Sequence, residues 1–79
     1  MPKISVTHQR NANGFAEVQV ANNTQEKLIC YIAIDGQKLF FTLVGLARSN
    51  WHTATDKRYN HRNFSIWCDY ISLYPQYNK

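Results

Sequence analysis

Residues 48 to 62, RSNWHTATDKRYNHR, hold most of the side chains in this chain that could do chemistry. The segment contains four of the nine lysines and arginines, and Asp56 is its one carboxylate. Cationic side chains neutralise phosphates, and flat rings such as those of Trp51 and Tyr59 stack on unpaired bases. We therefore predict a surface for an acidic macromolecule. Its predicted contact residues are Arg48, Trp51, His52, Lys57, Arg58, Tyr59, His61 and Arg62.

The same segment has a purely structural interpretation. Trp51 could anchor it in the core while the charges form a solvated rim, because aromatic side chains are usually buried. Its polar, turn-rich composition lacks an apolar period, which predicts a long connection and not a core element. The chain contains no aromatic RNP signature, GXXG loop or zinc-finger spacing. The nucleic-acid hypothesis thus depends on residue types alone.

Catalysis is a weaker hypothesis for these residues. A metal-independent ribonuclease could use His52 and His61 as general acid and base beside Lys57, Arg58 and Tyr59. Nothing in the spacing fixes their mutual geometry, and no paired carboxylates are indicated. We therefore expect a non-enzymatic binding module and keep the ribonuclease as an alternative.

Metal and cofactor binding are not expected. His52, His61, Cys30 and Cys68 occur at irregular intervals, whereas structural zinc sites usually include two ligands only a few residues apart. The chain's three glycines are isolated from one another, so no glycine-rich phosphate loop is formed.

Length and charge narrow the class of protein. A chain of 79 residues predicts a single compact domain, 1–79, with little room for a deep catalytic cleft. Its net charge of +4 favours acidic partners such as nucleic acid or a nucleoprotein complex. Small basic proteins without an enzyme motif are often phage or mobile-element accessory factors. This analogy gives a second hypothesis, a stoichiometric protein inhibitor or adaptor.

The sequence also predicts the cellular compartment. The start MPKISV lacks the features of a secretory signal, and the longest nearly apolar run, 39–47, is too short to span a membrane. We expect a cytoplasmic protein with no membrane partner. Cys30 and Cys68 lie far apart in apolar segments, which predicts two buried, reduced thiols, with a single bridge as the alternative.

Two predicted hairpins must position the basic segment. Residues 3–9 and 15–21 alternate apolar and polar side chains around turn-forming Asn11, Asn13 and Gly14. From Lys27 to Val44, two β-rich runs flank Asp35 and Gly36, which predicts a two-residue type I′ turn. That turn fixes a register with four core-facing pairs: Ile34 with Gln37, Ile32 with Leu39, Cys30 with Phe41, and Leu28 with Leu43.

The other face of this second hairpin is unusually apolar. Tyr31, Lys38 and Phe40 on this face form a candidate interface with a protein target or a second copy of the chain. The alternative is that the C-terminal segment covers the face, because so short a domain needs nearly all its apolar area for stability.

The C-terminal segment 64–74 fits two structures. Alternating aromatic and aliphatic residues favour a strand, whereas Phe64, Trp67, Cys68 and Ile71 have helical spacing. We predict a mainly β fold, a small antiparallel sheet or barrel-like meander of four to five strands. The alternative is an α+β fold with a C-terminal helix over the hairpin from Lys27 to Val44.

Overall fold

The computed structural model describes residues 2–77 as two antiparallel sheets of three strands each. Sheet A has the order β1-β2-β5 and sheet B the order β4-β3-β6. The strands are β1 Ile4–Arg10, β2 Ala16–Asn22, β3 Leu28–Ile34, β4 Gln37–Leu43, β5 His52–Thr53 and β6 Ser65–Tyr70. Short 3-10 turns span His61–Asn63, Ile71–Leu73 and Pro75–Tyr77.

The predicted mainly antiparallel β fold is confirmed. The described chain has six strands where four to five were predicted, and the barrel-like form and the alternative C-terminal helix are wrong. The strands form two separate sheets and not a barrel, because β5 returns to β2 while β6 returns to β3. The predicted C-terminal strand exists as Ser65–Tyr70, so the C-terminal helix is replaced by β6 and 3-10 turns. No helix within residues 2–77 is long and apolar enough to cross a membrane.

Local turn chemistry fixes the β3–β4 hairpin as expected. Asp35 and Gly36 have φ angles of 52° and 75°, the two positive values that a type I′ turn requires. The four predicted cross-strand pairs are all present. The predicted strands β1 and β2 are both present, and β2 buries Ala16, Val18 and Val20. The expected burial of alternate β1 side chains is wrong, because Val6 is 42% exposed at the outer edge of the sheet.

The core lies between the two sheets. Val18 and Val20 of sheet A pack in one cluster with Leu28, Ile32 and the two cysteines of sheet B. Leu39, predicted to face this core, is instead 52% exposed. It lines a groove with Trp51 and Phe64, where the packing against β4 is open.

The cysteines form a disulfide, so the prediction of two reduced thiols is wrong. Cys30 and Cys68 are 38 residues apart in sequence, but β6 pairs with β3 so that they lie directly opposite each other. Their Cα atoms are 4.0 Å apart, as expected for a pair that does not exchange backbone hydrogen bonds. The separation of the two cysteines in the sequence did not indicate the bridge, because the strand that pairs with β6 could not be predicted.

Candidate nucleic-acid interface

Residues 48–54, the first half of the basic segment, belong to sheet A. The amide of Ser49 donates to the Val20 carbonyl at 2.7 Å, and the Ser49 hydroxyl accepts from the Val20 amide at 2.9 Å. The amide of Ala54 donates to the Ala16 carbonyl, and Arg48 bridges to Ala21. The prediction of a long connection is therefore wrong for this half, which lacks an apolar period but completes the sheet through its backbone.

Arg48 and Trp51 line a groove of about 480 Å³ on the outer face of sheet A. Exposed polar side chains from β1 and half-buried ones from β2 complete this groove; they include Ser5, Thr7 and Gln19. Trp51 is half-buried, so it both anchors the segment and presents part of its indole ring. His52 instead stacks on Phe41 with ring centroids 5.2 Å apart, and burial lowers its pKa.

Residues 55–62, the second half, and the adjoining Asn63 are mostly exposed and held by local hydrogen bonds. The Arg58 guanidinium pairs with the Asp56 carboxylate at 2.8 Å, and this hydrogen bonding lowers the Asp56 pKa. The Asn60 side chain accepts from the Arg62 amide, while the Asn63 side chain accepts from the Asn60 amide. These bonds satisfy the backbone locally, which leaves the side chains of Lys57 and Arg62 exposed.

Strand β1 contributes two residues that the sequence analysis did not select. Arg10 donates to the carbonyls of Gly14, Lys57 and Tyr59 at 2.8 to 3.3 Å, which ties the second half to the end of β1. His8 stacks on His61 with ring centroids 3.9 Å apart and planes within 8°. The sequence contains one feature that could have indicated them: two basic side chains at alternate positions of a predicted strand with few apolar residues.

We call this group the β1–loop surface, defined by His8, Arg10, Lys57, Arg58, Tyr59, His61 and Arg62. Six of these seven residues are exposed and Tyr59 is half-buried. Arg58–Asp56 is the one ion pair within residues 2–77, so Lys57 and Arg62 carry charge without a paired carboxylate there.

Neighbouring groups set the electrostatics of this surface. Partial desolvation lowers the pKa of His61, and the positive charges of His8 and Arg62 lower it further. A hydrogen bond to the Asp35 carboxylate at the tip of the β3–β4 hairpin raises the pKa of the Tyr59 hydroxyl. The surface is therefore cationic overall, with Asp35 and Asp56 at its border.

The eight predicted residues do not form one continuous site. Arg48 and Trp51 share a groove with Ser5 and Thr7, whose side chains lie on the outer face of sheet A. His61 stacks on His8, whose side chain lies on the opposite face of β1 from those of Ser5 and Thr7. His52 and His61 likewise have different neighbours, so the structure does not pair the two histidines of the ribonuclease hypothesis.

Sheet B carries a row of aromatic rings on the face predicted as an interface. Tyr31 contacts Phe40 on one side and Trp67 on the other, with centroids 5.7 and 5.4 Å apart. The Lys38 ammonium lies 4.5 Å from the Tyr31 ring centroid. Tyr77 stacks on Phe40, yet these two rings stay 43% and 45% exposed. The C-terminal segment thus covers this face only in part.

No group of three or more histidine, cysteine or acidic side chains that could hold a metal ion occurs within the described residues. No protein-family model, curated protein or solved structure matches this chain.

Proposed function

We propose that this protein is a small non-enzymatic binding module that engages an acidic partner through the β1–loop surface. The partner is single-stranded nucleic acid or a nucleoprotein complex. The observation that carries this proposal is the convergence of β1 with the second half of the basic segment, through the His8–His61 stack and the Arg10 hydrogen bonds. Distant parts of the sequence thereby supply one cationic surface.

The exposed side chains suit contact with a phosphate backbone. Lys57 and Arg62 have no carboxylate partner among the described residues, although the Lys57 ammonium lies 5.6 Å from the Phe15 ring centroid. Both can therefore neutralise phosphates, whereas Arg58 keeps its Asp56 partner and positions the turn. Two neutralised phosphates on a single strand give a slope of about −1.4 in log K against log salt concentration. The half-buried ring of Tyr59 offers a stacking face beside these charges.

Arg48 and Trp51 would form a second contact for the same strand. Ser5, beside their groove, and Arg10, at the loop surface, are five residues apart along β1. A strand rises about 3.3 Å per residue, so the two contacts are roughly 17 Å apart along the free edge of sheet A. An extended single strand of a few nucleotides that wraps this edge could reach both.

The aromatic row on sheet B supports a second candidate function, a stoichiometric protein inhibitor or adaptor. The exposed rings of Phe40 and Tyr77 next to Lys38 combine the aromatic and cationic residue types of binding hot spots. A packed protein interface would depend on salt much less than phosphate binding does.

The disulfide changes our expectation for the compartment. The cytoplasmic prediction rested on the sequence of the first residues and the lack of a membrane-spanning run, whereas bridged cysteines persist mainly in oxidising compartments. We therefore propose that the protein works in an oxidising environment. Thiol titration of the protein isolated without reductant should detect no free thiol, and two free thiols per chain would contradict this.

Binding to labelled single-stranded RNA and to duplex DNA across a salt series tests the main proposal. The test variant combines Lys57→Ala and Arg62→Ala, and its charge-matched control combines Lys3→Ala and Lys27→Ala at exposed positions outside both candidate surfaces. We expect salt-sensitive binding that the test variant loses and the control largely keeps.

Three other results would change the interpretation. An equal loss in both variants would mean that net charge alone binds the probe, which contradicts a defined surface. Cleavage of the RNA probe would favour the ribonuclease alternative. No binding at low salt would exclude nucleic acid and direct the search to a protein target.

A further inference from the structure

We propose that two copies of this chain pair antiparallel through the free edge of β4, joining their B sheets into one six-stranded sheet centred on Phe40. The inference does not depend on the function proposed above. It rests on the backbone geometry of β4, the side chains of its two faces and the weak protection of its edge.

The type I′ turn fixes which backbone groups of β4 are free. In this turn the amide of Gln37 donates to the carbonyl of Ile34, so alternate residues from Gln37 to Leu43 bond to β3. The amides and carbonyls of Lys38, Phe40 and Thr42 then point to the opposite edge. Among the described residues, no hydrogen bond from outside the strand ladder reaches these six groups.

The disulfide supports the same assignment of hydrogen-bond direction. If Cys30 bonds to Phe41 of β4, its backbone cannot also bond to Cys68 of β6. The 4.0 Å between the cysteine Cα atoms fits this non-hydrogen-bonded pairing.

Strand β4 is complementary to itself in one register. Phe40 is the middle residue of Gln37–Leu43 and is one of the outward-pointing residues. Antiparallel pairing about Phe40 places Lys38 opposite the partner's Thr42 and Phe40 opposite the partner's Phe40. All six free groups of each copy would then be hydrogen-bonded, and all seven residues of the strand would be paired.

The side chains favour the same register. Phe40 would extend the aromatic row of sheet B into that of the partner, while Leu39, 52% exposed, would lie opposite the partner's Phe41 on the other face. Aromatic and aliphatic cross-strand pairs stabilise sheets. The two Lys38 ammonium groups would lie at opposite ends of the contact, so no like charges face each other.

Among the described strands, the edge of β4 carries less protection than the other long edges. The outer edge of β1 carries His8 and Arg10, and charged edges resist pairing. On β6, the Asp69 side chain already accepts the outward amide of Tyr70. β4 has one charged residue, Lys38, and no proline.

The available area predicts a weak dimer. A large side chain presents roughly 200 Å² when free. On that scale, the exposed parts of four side chains offer roughly 400 Å² of surface per copy for burial in the dimer: Leu39, Phe40, Val44 and Tyr77. This is about half of the roughly 800 Å² per partner in a standard stable interface. Dimerisation should therefore depend on concentration between about 10 μM and 1 mM.

Sedimentation equilibrium and amide hydrogen exchange of the oxidised protein over this concentration range test the proposal. We expect the mean mass to rise from 9.3 kDa towards twice that value. The amides of Lys38, Phe40 and Thr42 should exchange about tenfold more slowly at high concentration, in keeping with a shift towards dimer. Those of Leu39 and Phe41 should be protected at every concentration, because they bond to β3.

A pair of proline variants separates edge pairing from other association. Thr42→Pro removes an outward amide that the single copy does not use, so the fold should persist and the dimer Kd should rise at least tenfold. Val6→Pro removes an outward amide from the edge of β1 and should leave the dimer unchanged. If Thr42→Pro does not fold, Phe40→Lys provides the same test by placing two ammonium groups opposite each other.

A protein that remains monomeric at about 1 mM would overturn the proposal, since even a weak pairing should be populated there. A dimer in which the Lys38, Phe40 and Thr42 amides still exchange rapidly would also overturn it, because that dimer would use another surface.

Discussion

The two halves of the basic segment differ in charge and in their role in the structure. Residues 48–54 hold one of its four cations, and their backbone hydrogen-bonds to β2, so that Ser49 and Ala54 are buried. Residues 55–62 hold the other three cations, and their backbone hydrogen-bonds locally, to Asn63 and to Arg10. Substitutions should therefore reduce stability in the first half and binding in the second.

Removing the disulfide should have the largest effect on stability, and it should destabilise both halves of the basic segment equally. Replacing Cys30 and Cys68 together by alanine should lower the free energy of unfolding by about 2–5 kcal/mol, because the bridge lies in the core against Val18 and Leu28. Urea denaturation of the oxidised wild type and the double variant measures this. Reductant should weaken the wild type and leave the variant unchanged; a loss below about 1 kcal/mol would contradict the structural role.

Ser49→Ala should weaken the first half specifically. The Ser49 hydroxyl is buried, accepts from the Val20 amide and donates to the Asn50 carbonyl, so its removal should cost about 1–3 kcal/mol. Ser65→Ala, at an exposed position, is the control and should change stability by less than about 0.5 kcal/mol. Equal stability of the two variants would show that residues 48–54 do not depend on this bond.

Lys57→Ala combined with Arg62→Ala, in the second half, should weaken binding and leave stability nearly unchanged. Both side chains are exposed and unpaired with a carboxylate in the described chain, so stability should change by less than about 0.5 kcal/mol. The salt slope of RNA binding should flatten by about 1.4, the contribution of two phosphates. Lys3→Ala with Lys27→Ala is the charge-matched control, and an equal flattening there would remove the distinction between the halves.

Lowering the pH should have the smallest effect on stability. The folded state lowers the pKa of His61 from its ordinary 6.5, so below pH 6.5 the unfolded chain binds protons more readily and stability falls. Thermal unfolding between pH 7.5 and 5 should show this decline, reduced in His61→Gln. His52, whose pKa burial also lowers, should add to the decline, and stability that rises on acidification would contradict both assignments.

Protonation of His61 should affect binding in the opposite direction. A charged imidazole adds positive charge to the β1–loop surface, so RNA binding should strengthen as the pH falls towards 5. His61→Gln should lose much of this pH dependence in binding assays at fixed salt. His52→Gln is the control, since His52 stacks on Phe41 away from that surface.

Local chemistry made much of the fold predictable. Asp35 and Gly36 determined the turn, and the turn length determined the register of β3 with β4. Aromatic and β-branched residues indicated β6 correctly. Which strands would meet across the chain was not predictable, because long-range pairing depends on the whole packing arrangement. The disulfide was therefore only the alternative to reduced thiols, and β5 was missed.

The candidate site shows the same limit. The exposed cations of the second half were selected by composition, but His8 and Arg10 were not, because only the folded chain brings β1 against residues 57–61. Trp51 illustrates the reverse error. It was selected as a stacking face together with Tyr59, yet it lies on a different face of sheet A from the His8–His61 stack.

NMR titration of the oxidised protein with a short single-stranded RNA at low salt tests the central claim most directly. The account predicts saturable shifts in His8, Lys57, Tyr59, His61 and Arg62, reversed by added salt. Weaker shifts are expected at Arg48 and Trp51, and none at Phe40 or Tyr77. Shifts confined to the aromatic row of sheet B, or no shifts at all, would contradict it.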